Sequence, residues 1–281
     1  MSDALMDMPT PLLRFLRRPA LNERAPGRLT LWPWLGWLCL LLLIGFVGGL
    51  LDGALTRLFG WAVARNSFQN YLLTHASWSA AAVVLAAPIL EELGFRAFLS
   101  TAPRAVFVGL AFFLSYVYFV VRINTVHVSA ALAIAHYFAV LWPLLPAGII
   151  SLLLYRYARE PVLRLFRRHG VWVFWISCIV FGAAHAAVYS SHLVWWDFIL
   201  ALPQFLTGVG LAYVRVAFGL RWSIAAHLTF DPLVVFASWL YLATPQASSL
   251  HPALLWLFLV LAALIVVYGL VALWRVLRGQ W

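Results

Sequence analysis

The sequence has no lysine, two cysteines and nine acidic residues in 281, and only 10% of it is charged. Ordinary soluble domains are about 25% charged, so this chain cannot clothe a water-exposed surface in the usual way. Cys39 and Cys178 fall in separate apolar runs, where a thiol behaves as a small hydrophobe. That excludes a disulfide framework, and nothing points to redox chemistry. Long linkers, low-complexity tracts and internal repeats are also missing, so residues 1–281 are expected to form a single domain.

What is there is apolar: 65% of the residues are hydrophobic and the mean hydropathy is +0.94. These values predict an integral membrane protein. The apolar runs repeatedly reach the roughly 20 residues a spanning helix needs. Leu38–Leu51 and Leu254–Leu273 are apolar on every face, whereas barrel strands would alternate. The expected fold is therefore all-α, a polytopic membrane helical bundle. Eight spans are expected, at approximately Leu31–Leu51, Tyr71–Leu99, Arg104–Val121, Ser129–Tyr155, Val171–Tyr189, Phe198–Val216, Trp222–Leu242 and Pro252–Trp274.

All basic residues being arginine, their placement can be sorted by the positive-inside rule. With the N-terminus inside, cytoplasmic segments hold Arg14, Arg17, Arg18, Arg24, Arg28, Arg104, Arg156, Arg159, Arg164, Arg167, Arg168, Arg215, Arg221, Arg275 and Arg278. Only Arg57, Arg65 and Arg122 fall outside, with Arg96 inside the membrane. Eight spans with both termini cytoplasmic follow. The net charge of +10 then reads as an orientation signal and an attraction to anionic headgroups of the lipid bilayer, not as nucleic-acid binding. No small-residue cleavage site follows the first apolar run, so residues 1–30 read as an Arg-rich cytoplasmic segment before an uncleaved span. A prokaryotic inner membrane is the expected location.

Polar residues within the spans carry the functional information, because an ionised side chain near the bilayer centre costs at least ~2.5 to 3.5 kcal/mol. Three sets couple residues four apart on one helix face. Glu91-Glu92-Leu93-Gly94-Phe95-Arg96 holds an acid-first i, i+4 pair, Glu92 with Arg96, while Glu91 points about 100° away. By itself, that pair could be a helix-terminal ion pair. Phe181-Gly182-Ala183-Ala184-His185 has small residues that admit a close neighbouring helix. His227-Leu228-Thr229-Phe230-Asp231-Pro232 stacks His227 on Asp231, with Pro232 opening the backbone. Alone, His185 reads as a structural histidine satisfied on a neighbouring helix, and the His227–Asp231 pair could be a buried structural hydrogen bond.

Together, the three sets resemble the CAAX prenyl protease and bacteriocin-processing family of intramembrane proteases, whose motifs read EExxxR, FxxxH and HxxxN or D. They occur here in that order between Pro88 and Asp231, about half of the chain. The resemblance implies a helical bundle around a hydrophilic cavity open toward the cytoplasm, and hydrolysis of a peptide bond in a membrane-associated peptide or protein. It implies that Glu91 and His185 activate water, that Glu92 and Arg96 form a supporting ion pair beside Phe181, and that His227 and Asp231 occupy the oxyanion side. Where the family has Asn the amide donates directly. An ionised Asp231 would repel an oxyanion, so it must be protonated or must orient His227. Soft span boundaries put Glu91 and His227 two or three turns from the cytoplasmic side and His185 about four turns deep, so a tilted fifth span starting before Val171, within Arg164–His169, is expected.

No cofactor is required by this reading, although Glu and two His could hold zinc with an open water position; no HExxH motif is present. A transporter or proton relay is the rival from another class, disfavoured because the motifs are distinct rather than repeated in two halves. A non-catalytic immunity or scaffold protein that binds membrane peptides is the other.

Overall fold

A computed structural model of the chain describes residues 16, 19, 31–59, 78–125, 141–186, 194–243 and 250–278. Among these residues all regular structure is helical. The helices are α1 (Leu31–Phe59), α2 (Trp78–Phe95), α3 (Pro103–Thr125), α4 (Leu141–Tyr157), α5 (Arg159–Arg168), α6 (Gly170–Ala186), α7 (Trp195–Leu200), α8 (Leu202–Phe218), α9 (Leu220–Ala243) and α10 (Leu250–Leu277). Helix α1 and the Leu259–Leu277 part of α10 are long and apolar enough to cross a membrane, with mean hydropathies of 2.3 and 2.4. The bent pair α5 and α6 makes a third if counted as one span.

The outward faces explain why water is the wrong solvent. Ile149, Ile150, Leu152 and Leu153 on α4, and Leu259, Val260, Leu264 and Val267 on α10, are all exposed. Apolar surface of that extent is an aggregation hazard in water and ordinary against lipid tails. The described helices are those of a membrane protein.

Helix α8 lies at the centre, against α1, α6 and α9, and α2 packs between α3 and α9. Small residues permit the close approaches: a Cβ at Gly182 would collide with Phe205 of α8, and one at Gly208 would stand 2.7 Å from the Phe181 ring and 3.3 Å from the Arg96 guanidinium. The largest core cluster joins Trp37, Phe98, Phe174, Tyr213 and Val276, with Trp37 and Tyr213 stacked at 4.7 Å.

Two expectations are corrected here. The fifth span does not begin before Val171 as a tilted continuation: the chain bends by 84° between α5 and α6. The cause is the composition of α5, whose Arg159, Arg164, Arg167 and Arg168 are exposed while Leu163 is buried. Such a helix cannot enter hydrocarbon and is suited to lie along an interface. The sixth predicted span is likewise divided at Ala201 into α7 and α8, where Pro203 occupies the first turn of α8, a position that tolerates the missing N–H.

Candidate active site

The site is built on the C-terminal end of α2. Glu92 and Arg96 lie one turn apart with Arg96 Nη1 3.4 Å from Glu92 Oε1, and both are buried, at 0% and 1% exposure. The Arg96 guanidinium sits 3.9 Å from the Phe181 ring centroid, a cation–π contact, and its Nη2 faces the Gly208 carbonyl at 3.5 Å. Phe181 of the second motif thus flattens against the arginine of the first.

A helix end leaves unsatisfied carbonyls that a buried site must cap. Arg215 does so from α8: its Nε donates to the Arg96 carbonyl at 2.9 Å and its Nη2 faces that of Ala97 at 3.3 Å. Ser177 of α6 donates to the Phe95 carbonyl. Replacing Arg215 by Gln is expected to lower stability by about 1 to 3 kcal/mol, the value of hydrogen bonds to a charged group. Arg221→Gln, at an exposed position, should change it by less than about 0.5 kcal/mol. Thermal unfolding in one detergent compares the two.

Glu92 is the hub joining α2 to α9. Its Oε1 accepts from His227 Nδ1 at 3.0 Å, and its Oε2 accepts from the Ser223 hydroxyl, which also lies 3.0 Å from the Leu211 carbonyl. Every oxygen of this carboxylate is therefore engaged, as a buried charge requires.

Glu91 looks the other way and is 7% exposed. Its Oε1 accepts from the Tyr116 hydroxyl of α3 at 3.3 Å, and its Oε2 lies 3.8 Å from His227 Nε2. Asp231 Oδ1 is 3.5 Å from the same nitrogen, with the aspartate side chain 31% exposed. His227 therefore holds Glu92 with one ring nitrogen and faces Glu91 and Asp231 with the other. Separations of 3.5 and 3.8 Å are too long for good direct hydrogen bonds, so Nε2 is held less tightly than Nδ1.

His185 is placed differently. Its Nδ1 lies 2.8 Å from the Phe181 carbonyl, and its ring is 4.6 Å from that of Phe181. A carbonyl only accepts, so Nδ1 carries the proton and Nε2 is left to act elsewhere. Phe181 also meets His227, at 6.2 Å between ring centroids, which sets Phe181 level with the acid cluster and His185 four residues, about 6 Å, farther along α6. Among the described residues no hydrogen bond or ion pair joins Glu91 to His185. The imidazole beside Glu91 is that of His227.

Ser223, Tyr116 and Arg215 are not singled out by the sequence as site residues. Ser223 has a signal, since Ser223, His227 and Asp231 repeat every four residues on one face of α9. His75, His127, His136 and His192 lie outside the described residues. Asp197 is buried in the first turn of α7, where it accepts from the Val194 N–H at 2.9 Å. Both cysteines are free. Among the described residues no group of three His, Cys, Asp or Glu is placed to hold a metal ion. Comparison of the chain with protein-family models, curated proteins and solved structures finds no match.

Proposed function

We propose that the chain is an intramembrane endopeptidase of the CAAX-protease-like kind, with eight spans, both termini cytoplasmic and a water-filled cavity open to the cytoplasm, in a prokaryotic inner membrane. One observation carries the reading more than any other: Arg96 is paired with Glu92, while Glu91, almost as deeply buried, has no arginine beside it among the described residues and faces His227 Nε2. The three ordered motifs support it as well.

In this mechanism, water sits against Glu91 Oε2, on the side of the carboxylate that faces away from Glu92. Glu91 takes its proton as the oxygen bonds to the scissile carbonyl carbon, the work of a positioned general base. The developing oxyanion is stabilised by a ring N–H of His227, an electrostatic contribution that depends on the donor being held in advance. Glu92 supplies that hold through Nδ1. Because Nδ1–H is committed to Glu92, donation from Nε2 requires the doubly protonated ring, and the carboxyl groups of Glu91 and Asp231 both face that nitrogen. Asp231 thus orients His227 rather than meeting the oxyanion. Collapse of the tetrahedral intermediate breaks the C–N bond, and the proton returns from Glu91 to the leaving amine, with His185 Nε2 able to share it. The products are one carboxylate and one amine for each water consumed.

Hydrolysis can be tested without knowing the substrate. Membranes from cells carrying the protein, incubated in oxygen-18 water, should gain peptides with a labelled new C-terminus that membranes lacking it do not gain. Equal labelling in both would leave a peptide-binding scaffold or a proton relay as the better reading.

A further inference from the structure

Helix α5 presents a surface that the proposed chemistry does not use. Its buried side is one residue deep: Leu163 packs on Val106 and Phe107 of α3, with Val162 and Phe166 beside it. Around this contact Arg159, Arg164, Arg167 and Arg168 are all exposed, next to exposed Arg156 at the end of α4. The only acid between Arg156 and Arg168 is Glu160, itself exposed and 3.8 Å from Arg159 Nε, so five arginines less one glutamate leave a charge of +4. Exposed among these charges are two large side chains of amphipathic or apolar character, Tyr157 at 78% and Leu165 at 57%.

The 84° bend gives this charge a location. If α6 runs across the bilayer from Gly170, a helix at nearly a right angle to it, ending at Arg168, runs in the plane of the leaflet. Its arginines then stand at the depth of lipid phosphates, with Leu165 and Tyr157 able to enter the acyl boundary. Guanidinium groups match phosphate oxygens bidentately, and basic clusters next to a membrane segment bind anionic lipid in a charge-additive way.

We propose that α5 and the end of α4 form a docking surface for anionic phospholipid headgroups of the cytoplasmic leaflet. The surface is independent of peptide hydrolysis and rests on α6 spanning with its Gly170 end at the cytoplasmic face. Because α5 grips the start of α3, and α3 carries Tyr116 to Glu91, lipid held there braces the helix that contacts the candidate base.

The test uses the full-length protein in detergent, offered mixed micelles of phosphatidylcholine and phosphatidylglycerol, with bound lipid counted by native mass spectrometry. The wild type should retain phosphatidylglycerol selectively. At about fivefold per arginine, the variant R164Q/R167Q/R168Q should lose selectivity roughly a hundredfold. R164K/R167K/R168K, which keeps the charge, should stay within a few fold of wild type, and R275Q/R278Q on α10 should leave the α5 contribution intact. If the triple Gln variant does not fold, R164Q and R168Q singly should each show the fivefold loss. Unchanged selectivity in the Gln variants would overturn the proposal. So would equal displacement by millimolar glycerol phosphate, which would mark a soluble-anion site, or preferential retention of an oligonucleotide over the lipid.

Discussion

Glu92→Ala is expected to yield little or no folded protein. The carboxylate is 0% exposed and joins three side chains: Arg96 by charge, and His227 and Ser223 by hydrogen bonds. Removing it leaves the Arg96 guanidinium, 1% exposed, without a counter-charge, and breaking a buried ion pair in this way costs about 3 to 5 kcal/mol. That is a large part of the roughly 5 to 15 kcal/mol that typically holds a domain together. The aromatic face of Phe181 and the Gly208 carbonyl remain, but neither carries a negative charge. The double variant Glu92→Gln with Arg96→Met removes both charges together and should recover most of the loss, because exchanging a buried pair for uncharged groups is often close to neutral. The yield of monodisperse protein and its thermal midpoint in detergent report the order: wild type and double variant high, Glu92→Ala low. A Glu92→Ala protein as stable as wild type would show that Arg96 is solvated in the folded state and that the hub is not structural.

Glu91→Gln should have the opposite profile: stability within about 1 kcal/mol of wild type, and hydrolysis reduced by about 10² to 10⁴, the contribution of a positioned general base. The amide oxygen introduced at position 91 can still accept from Tyr116, so that link between α2 and α3 is kept. What is lost is the capacity to take a proton from water. Arg96 does not compensate, because it is held by Glu92 and lies over Phe181. The expected contrast between neighbouring residues is that substitution at position 92 impairs folding and substitution at position 91 impairs only the proposed hydrolysis. If both substitutions destabilised alike, Glu91 would be a structural member of the same cluster.

Much of this site is legible from spacing alone. The Glu92–Arg96 and His227–Asp231 pairs follow from four-residue steps on helices, and the shared depth of Glu91 and His227 follows from their distances to the expected span ends. The all-helical, apolar character follows from composition. The bend at His169 is hidden because extending the fifth span into Arg164–His169 rests on matching the depth of His185 to that of Glu91, whereas the arginines of α5 argue against burial. Arg215 counts as one more orientation charge, since the positive-inside rule sorts residues by position in the chain and is blind to where a guanidinium reaches. Tyr116 has no signal, because an aromatic residue in an apolar helix looks the same whether or not its hydroxyl meets an acid. The link between Glu91 and His227 rather than His185 depends on how α2, α6 and α9 are rotated against one another. Motif order does not carry that information.

The central claim is that Glu91 is the base that activates water for peptide hydrolysis. Its most direct test is the membrane-peptide profile of cells producing wild-type protein or Glu91→Gln at matched abundance. The account predicts that one or more membrane-associated precursors accumulate in Glu91→Gln cells and that their fragments disappear. Identical profiles, with both proteins folded and present in the membrane, would contradict it.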